Sequence, residues 1–236
     1  MVLTVIKNWD NKTWLSSKDY IRSFNNFLIN QISLNSNSKI LDIGCGRWKI
    51  LGNLSSKLRL KNKPLGIDII NHKDKDNRIK FKKINASTFF LTNKSKFDLI
   101  LIKQTIHLFN LKEIQKILNL SKRNLKQNGK VLIFTLDTEK NELPTFKLMK
   151  KKLIKSLKRD KKILKLITKL YPNRIKKNFI YKVQIIKKDY LKMIQKRYIS
   201  TLLTLNQKEL TKGIEEIDIK YRKNIKFHDK LVCVIL

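Results

Sequence analysis

The segment KILDIGCGRWKILGNL, Lys39 to Leu54, joins an apolar run to a glycine-rich turn and then to a new apolar pattern. It reads as a buried strand, a tight loop and the first turns of a helix. Gly44 and Gly46 open backbone dihedrals closed to other residues and let a ligand approach the main chain. Asp42 puts a carboxylate at the strand end, and Asp68 ends the next predicted strand at roughly the 20-residue separation at which an acid can accept bonds from ribose hydroxyls. In an open parallel sheet, ligands lie beyond the carboxyl ends of the strands, where strand order reverses. A dinucleotide turn would add a third glycine to take a pyrophosphate on the helix start. Here Arg47, Trp48 and Lys49 follow Gly46, so the ligand is expected to lack a pyrophosphate.

Outward from this turn, short apolar runs alternate with helical segments. Strands are predicted at 39–43, 64–69, 79–84, 97–102 and 130–136, with helices at 50–59 and 110–126 and a turn near 87–92. Runs that are apolar throughout, such as FDLILI, suit a parallel sheet covered on both faces. The fold class is therefore α/β, a doubly wound and mostly parallel sheet. The first 35 residues read as a helical cap, with Tyr20, Phe24, Phe27 and Leu28 at helical spacing. After 137, two amphipathic helices are expected, one on Phe146, Met149, Leu153 and Leu157, the next on Ile163, Leu164, Ile167 and Leu170. A strand at 178–185, a helix running to about Tyr198, another at 206–222 and a closing strand, KLVCVIL, complete the chain. One domain is expected over 1–236: a cap (1–35), a core (36–137), a helical insertion or lid (138–200) and a final helix and strand (201–236).

Composition bounds the function. The chain has 236 residues and a formal charge of +36. Such a charge invites a nucleic-acid reading. Yet only nine of the 54 basic residues are Arg, and Ala86 is the sole alanine. Lys, Asn and Ile have A/T-rich codons, so a genome poor in G and C would write this profile whatever the function. Phosphate-gripping surfaces also favour the planar fork of Arg. We attribute the charge mainly to that bias and to solvated lysines. Cys45 and Cys233 form neither a disulfide framework nor a metal knuckle, and no metal site is expected. The start, MVLTVIKNWDNKTW, shows no signal pattern, and no apolar run approaches the ~20 residues that cross a bilayer. The chain reads as cytoplasmic.

At this point the motifs carry a resemblance. LDIGCG (41–46), GIDI (66–69), INAS (84–87), FDLILIKQTIHLF (97–109) and LKQNGKVLIFTL (125–136) resemble, in order and separation, the successive motifs of class I S-adenosylmethionine-dependent methyltransferases. The resemblance implies a seven-stranded Rossmann-like sheet, with S-adenosylmethionine as cofactor. It implies that Asp42, Gly44 and Gly46 surround the methionine part of the cofactor, that Asp68 holds the ribose hydroxyls and that Ile69 lies against the adenine. Asn85 and Ala86 fall where the family often has an Asp for the adenine amino group, and an amide oxygen can still accept that bond. Lys103, just after the fourth predicted strand, is placed with the cofactor-binding residues. Trp48 and Lys49 depart from the family's glycine-rich continuation. Cys45 reads as a small filler. His107 follows the fourth strand, where related enzymes place substrate-facing groups; a helix-start histidine packing locally is the competing reading.

The acceptor is approached through absences. The Asn/Asp-Pro-Pro-aromatic turn of nucleobase amino-methylating enzymes is replaced by Lys103, Gln104, Thr105 and Ile106, and no Cys lies near the fourth or fifth strand for cytosine C5 chemistry. The carboxyl-terminal half is similar in layout to trans-aconitate-type small-molecule methyltransferases, with Arg197, Tyr198 and Ser200 in the aromatic-Ser stretch. Trp14, Tyr20, Gln104, Arg197 and Tyr198 are the candidate acceptor contacts, and His107 is the candidate base. The amino-terminal segment, with Trp9, Trp14 and Tyr20, and the 143–171 helices are expected to close over the pocket. The favoured partner is a small molecule whose O, N or S atom, a carboxylate among the choices, takes the methyl group by in-line displacement. An RNA acceptor on the basic surface and a phospholipid at an anionic membrane are the alternatives. The oligomeric state is not legible.

Overall fold

A computed structural model describes residues 13–72 and 76–236. In chain order the elements are α1 (Lys18–Ile29), β1 (Ile40–Ile43), α2 (Lys49–Lys57), β2 (Leu65–Asp68), β3 (Lys80–Lys83), α3 (Ala86–Thr92), β4 (Phe97–Lys103), α4 (Leu111–Arg123), β5 (Leu125–Leu136), α5 (Lys147–Leu170), β6 (Ile175–Ile186), α6 (Lys187–Gln195), α7 (Gln207–Lys220) and β7 (Asn224–Ile235), with three single 3₁₀ turns between them. The seven strands form one sheet in the order β3-β2-β1-β4-β5-β7-β6. Strands β1 to β5 pair in parallel, and β7 runs antiparallel to β5 with Leu132 opposite Ile235 and Leu136 opposite Leu231. This is a doubly wound, mostly parallel sheet of seven strands, as the sequence led us to expect. The order reverses between β1 and β4, so the ends of these two strands form the switch point.

Local chemistry sets the boundaries. Asn110 and Asn206 cap α4 and α7, each accepting from the backbone three residues on while Glu113 and Glu209 reach back to the cap. Two orphan amides are satisfied reciprocally at each helix start. The β1 strand is buried along its whole length, as an apolar run in the middle of a sheet should be.

The chain divides into two compact units. One consists of the described parts of Ile21–Leu136 with Lys162–Phe179 and Leu231–Leu236. Its core is built on Ile43, Ile67, Ile100, Ile102, Ile133 and Val232, with helix residues such as Phe90, Ile117 and Ile163 packed on them. The other consists of the described part of Met1–Tyr20 with Asp137–Lys161 and Ile180–Lys230. An aromatic cluster of Trp14, Tyr190, Tyr198 and Phe227 is buried within it.

Three expectations are corrected. The two helices expected after 146 are one 24-residue helix, α5, because no Gly or Pro interrupts the chain between the two apolar stripes. The fifth strand begins at Leu125 rather than 130, in a stretch read as the end of a helix. Its register against β4 shifts between Phe97 and Leu99. Gly129 permits the irregularity, since a Cβ there would stand 2.6 Å from the Phe97 carbonyl oxygen. The helix expected to run to Tyr198 stops at Gln195, and Arg197 turns into left-handed backbone at φ 55°. Among the described residues, no helix is long and apolar enough to cross a membrane.

Candidate functional site

After β1 the chain turns through Gly44 (φ 71°) and Gly46 (φ 54°), both in the left-handed region that favours glycine. A Cβ on Gly44 would fall 2.3 Å from the Thr105 side chain, which follows β4 and whose hydroxyl donates to the Gly44 carbonyl at 3.3 Å. A Cβ on Gly46 would meet nothing within 4 Å, so this glycine faces open space. The amides of Gly44 and Cys45 donate to the Ile67 carbonyl at 2.9 and 3.2 Å, tying the loop to β2.

At the end of β2 the Asp68 carboxylate accepts from two loops. Oδ2 takes the Gly46 amide at 3.0 Å and Oδ1 the Ile70 amide at 2.9 Å. Each oxygen keeps a lone pair for a further donor. Beside it, Ile69 is 61% exposed, an apolar surface next to an acid. The Ile84 amide bonds the Asp68 carbonyl, which brings Asn85 to the same edge. Asn85 caps α3, its Oδ1 accepting from the Thr88 amide at 2.8 Å, and buried Ala86 opens that helix.

Asp42 is 5% exposed, between Gly66 of β2 and Leu101 of β4. Its Oδ1 is buried without a hydrogen-bond partner. Burial pushes its carboxyl up to about 7, against the pull of the Lys103 ammonium and with a smaller push from Asp68. Lys103 closes β4, donates to Gln104 Oε1 at 3.2 Å and stands 5.3 Å from the centre of the Phe24 ring. Gln104 is held at φ 50°, with its amide on the Phe134 carbonyl. A non-glycine residue there is strained. His107 sits half-buried in the 3₁₀ turn Ile106–Leu108, two residues past the Thr105 that touches Gly44.

The ends of β1, β2, β3 and β4 thus gather Asp42, Gly44, Gly46, Asp68, Ile69, Asn85, Ala86, Lys103, Gln104 and His107. The donor set suits an amino-acid-bearing nucleoside. A buried carboxylate oxygen lacks a donor, an acid with free lone pairs stands beside an exposed apolar side chain, and the main chain at Gly46 is open.

Trp48 shows how the loop does without a third glycine. It stands at φ 61°, buried, with its indole 4.6 Å from the Phe81 ring at 30°. Left-handed backbone costs a residue with a Cβ about 1–2 kcal/mol, and the buried stack offsets that. Trp48→Gly is therefore expected to destabilise the fold by about 2–3 kcal/mol, since losing a large buried aromatic costs roughly 3–5 kcal/mol. Denaturant unfolding measures it, and an unchanged or raised midpoint would show that the strain outweighs the packing. Burial pushes the Cys45 thiol well above its usual range and that of Cys233 up to about 12, so neither is a ready nucleophile.

The remaining predicted residues lie in the other unit, apart from Trp9, which is outside the described residues. Trp14 Nε1 donates to Asp229 Oδ2 at 3.1 Å, and its ring meets that of Tyr198 edge-on at 5.2 Å. Tyr20 is fully buried, its hydroxyl held well above the usual range by burial and by the Asp229 carboxylate. Tyr198 and Tyr190 share a hydroxyl bond at 2.8 Å, and the Arg197 guanidinium donates to the Leu202 carbonyl at 3.1 Å. The same unit holds a cavity of about 310 Å³ lined by Leu143, Leu153, Leu157 and Tyr221 among others, and by none of the predicted residues. Thr105 and Asp229 went unread in the sequence. Asp229 could have been noticed as an acid alone in a basic, apolar closing segment, whereas Thr105 carries no signal of its own.

A strand-end acid pair around a glycine loop at the switch point defines a nucleoside-binding α/β enzyme. The class narrows further. The family model described as a methyltransferase domain matches residues 34–206, and the chain belongs to that family. It is an S-adenosylmethionine-dependent methyltransferase. No curated protein matches the sequence. Among solved structures it is similar to a protein described as a methyltransferase from an antibiotic biosynthesis pathway of Anabaena variabilis, at 15% identity and a TM-score of 0.63, covering 90% of this chain and 96% of that one. It is also similar to YjhP from E. coli, at 12% identity and TM-score 0.58, with 100% and 98% covered. The plantazolicin methyltransferase BpumL, solved with a monoazolic desmethylPZN analog and SAH, gives 16% identity and TM-score 0.54, with 98% and 88% covered. At these identities the likeness concerns the fold.

Proposed function

We propose that the enzyme methylates an oxygen, nitrogen or sulfur atom of a small-molecule acceptor in the cytoplasm. The observation carrying this reading is the turn after β4. Thr105 packs on Gly44 where a nucleobase enzyme would have its proline turn, and His107 is the titratable side chain two residues on. The relatives support it: BpumL was solved with a desmethylPZN analog, and the Anabaena protein is described as part of antibiotic biosynthesis. The sequence 34–206 matched by the family model draws on both units, which supports treating 1–236 as one methyltransferase domain.

Bound S-adenosylmethionine supplies an electrophilic methyl group. The residues of the chain hold and orient. Asp68 accepts the ribose hydroxyls on its remaining lone pairs, Ile69 covers the adenine, and Asn85 and Ala86 border its edge. Asp42 receives the amino-acid ammonium on its unpartnered oxygen, with Lys103 balancing the charge nearby. Alignment and a dry site account for most of the acceleration in such a displacement. A carboxylate or thiolate acceptor needs no base, whereas a hydroxyl or ammonium does, and His107 then takes that proton. Gln104, beside Lys103 at the end of β4, is the proposed acceptor contact of the cofactor-bearing unit; Trp14, Tyr20, Arg197 and Tyr198 belong to the other unit, where Trp14, Tyr20 and Tyr198 are buried.

Transfer of labelled methyl groups to a metabolite extract, with RNA and lipid fractions run separately, tests the acceptor class. Label confined to RNA or lipid rejects the small-molecule reading. With a hydroxyl or ammonium acceptor, His107→Ala is expected to slow turnover at least tenfold while S-adenosylhomocysteine affinity changes less than twofold. Equal losses in both would make His107 a packing residue.

A further inference from the structure

The charge of the chain is not spread evenly. Helix α5 carries eleven basic residues and one acid, buried Asp160, so 24 residues hold +10 of the total +36. Helix α7, written with the same codon preference, has three lysines and four acids, a net of −1. A compositional bias alone does not produce that contrast.

The position of the charge is more specific than its amount. Lys151, Lys155, Lys158, Lys162, Lys165 and Lys169 follow one another at spacings of four, three, four, three and four. On an α-helix this places all six within an arc of about 80°, over a length of about 27 Å. All six are exposed, and among the described residues none of them makes an ion pair. No acid interrupts the stripe. Like charges at these spacings repel, so the stripe weakens the helix unless an anion covers it. The apolar side of the helix is committed elsewhere, since Met149, Leu153, Ile163 and Ile167 are buried.

We propose that this lysine stripe of α5 docks a polynucleotide strand through its phosphate backbone, without regard to base sequence. A linear polyanion matches a straight row of ammonium groups at intervals of about one helical turn. A protein partner would be expected to find an apolar anchor, and a membrane an apolar face to bury. The exposed side offers one large apolar residue, Ile154, and no aromatic ring. The proposal concerns the helix alone and does not depend on the identity of the methyl acceptor.

The test is fluorescence anisotropy with a labelled 20-nucleotide single-stranded RNA of mixed sequence, titrated at several salt concentrations. The wild type is expected to bind with a steep inverse dependence on salt. K155Q/K158Q/K162Q is expected to lose at least tenfold in affinity at 50 mM salt, with the log-log slope shallower by about 2, at about 0.7 per phosphate contact. K208Q/K212Q/K226Q removes the same charge from exposed positions outside α5 and is expected to change affinity less than twofold. Circular dichroism checks that both variants fold. Should the first triple variant unfold, Lys158→Glu alone gives the same readout. Absence of binding, equal losses in the two triple variants, or stronger retention by phosphatidylserine vesicles than by RNA would each overturn the proposal.

Discussion

Replacing Asp68 with alanine is expected to weaken S-adenosylhomocysteine binding at least tenfold, about 1.4 kcal/mol, by isothermal titration calorimetry. The geometry explains why the loss should reach that size. The carboxylate is the acceptor for the proposed ribose hydroxyls, and it also holds the amides of Gly46 and Ile70. Alanine removes the ligand bonds and leaves two loop amides without their acceptor, so the donor turn loses its shape as well. Asp68→Asn keeps one acceptor oxygen and is expected to lie between wild type and alanine. Unchanged affinity in the alanine variant would reject the assigned site.

The second large effect concerns pH. Asp42 titrates near 7 because burial disfavours its charge, although Lys103 of β4 pulls the other way; Asp68 of β2 adds to the rise. Two consequences follow from this one displacement. A carboxyl whose folded value lies above its unfolded value takes up protons more readily in the native state. Its contribution to stability is therefore full below about pH 4 and is lost as pH rises through about 7. Asp42→Asn removes the penalty, and its melting temperature at pH 8 should exceed that of the wild type. Ligand binding runs in the opposite sense. An ammonium group prefers the ionised carboxylate, so S-adenosylhomocysteine affinity should rise about tenfold from pH 6 to pH 8. In Asp42→Asn that profile should flatten and the affinity at pH 8 should fall. A flat wild-type profile would show that Asp42 does not meet the ligand's charge. A variant more stable but weaker in binding fits a site that carries a cost in stability.

Much of this was open to reading in the residues. The loop after β1 was legible because two left-handed turns need two glycines, and Asp68 because an acid ends the neighbouring apolar strand. The parallel strands showed themselves as short apolar runs. What escaped depends on tertiary contacts. Residues 125–129 look like a polar helix end, yet Leu125 already pairs with Phe97 of β4, and Gly129 lets the chain pass close to the Phe97 carbonyl before the regular register resumes at Lys130. The two apolar stripes of α5 suggested two helices, since a continuous helix and a broken one differ only in a breaker that is not there. Thr105 is one threonine among many until the fold presses it against Gly44. The pairing of Trp48 with Phe81, 33 positions later, could not be inferred from either residue.

That pairing changes what supports the donor loop. A glycine at position 48 would leave the loop's conformation to the loop itself. With an indole there, the turn is joined by side-chain contact to β3, the strand at the sheet's outer edge. An edge strand is ordinarily the first part of a sheet to fray. Opening of β3 that breaks this ring contact removes the packing that offsets the left-handed backbone at Trp48, so the edge of the sheet and the glycine turn share one support.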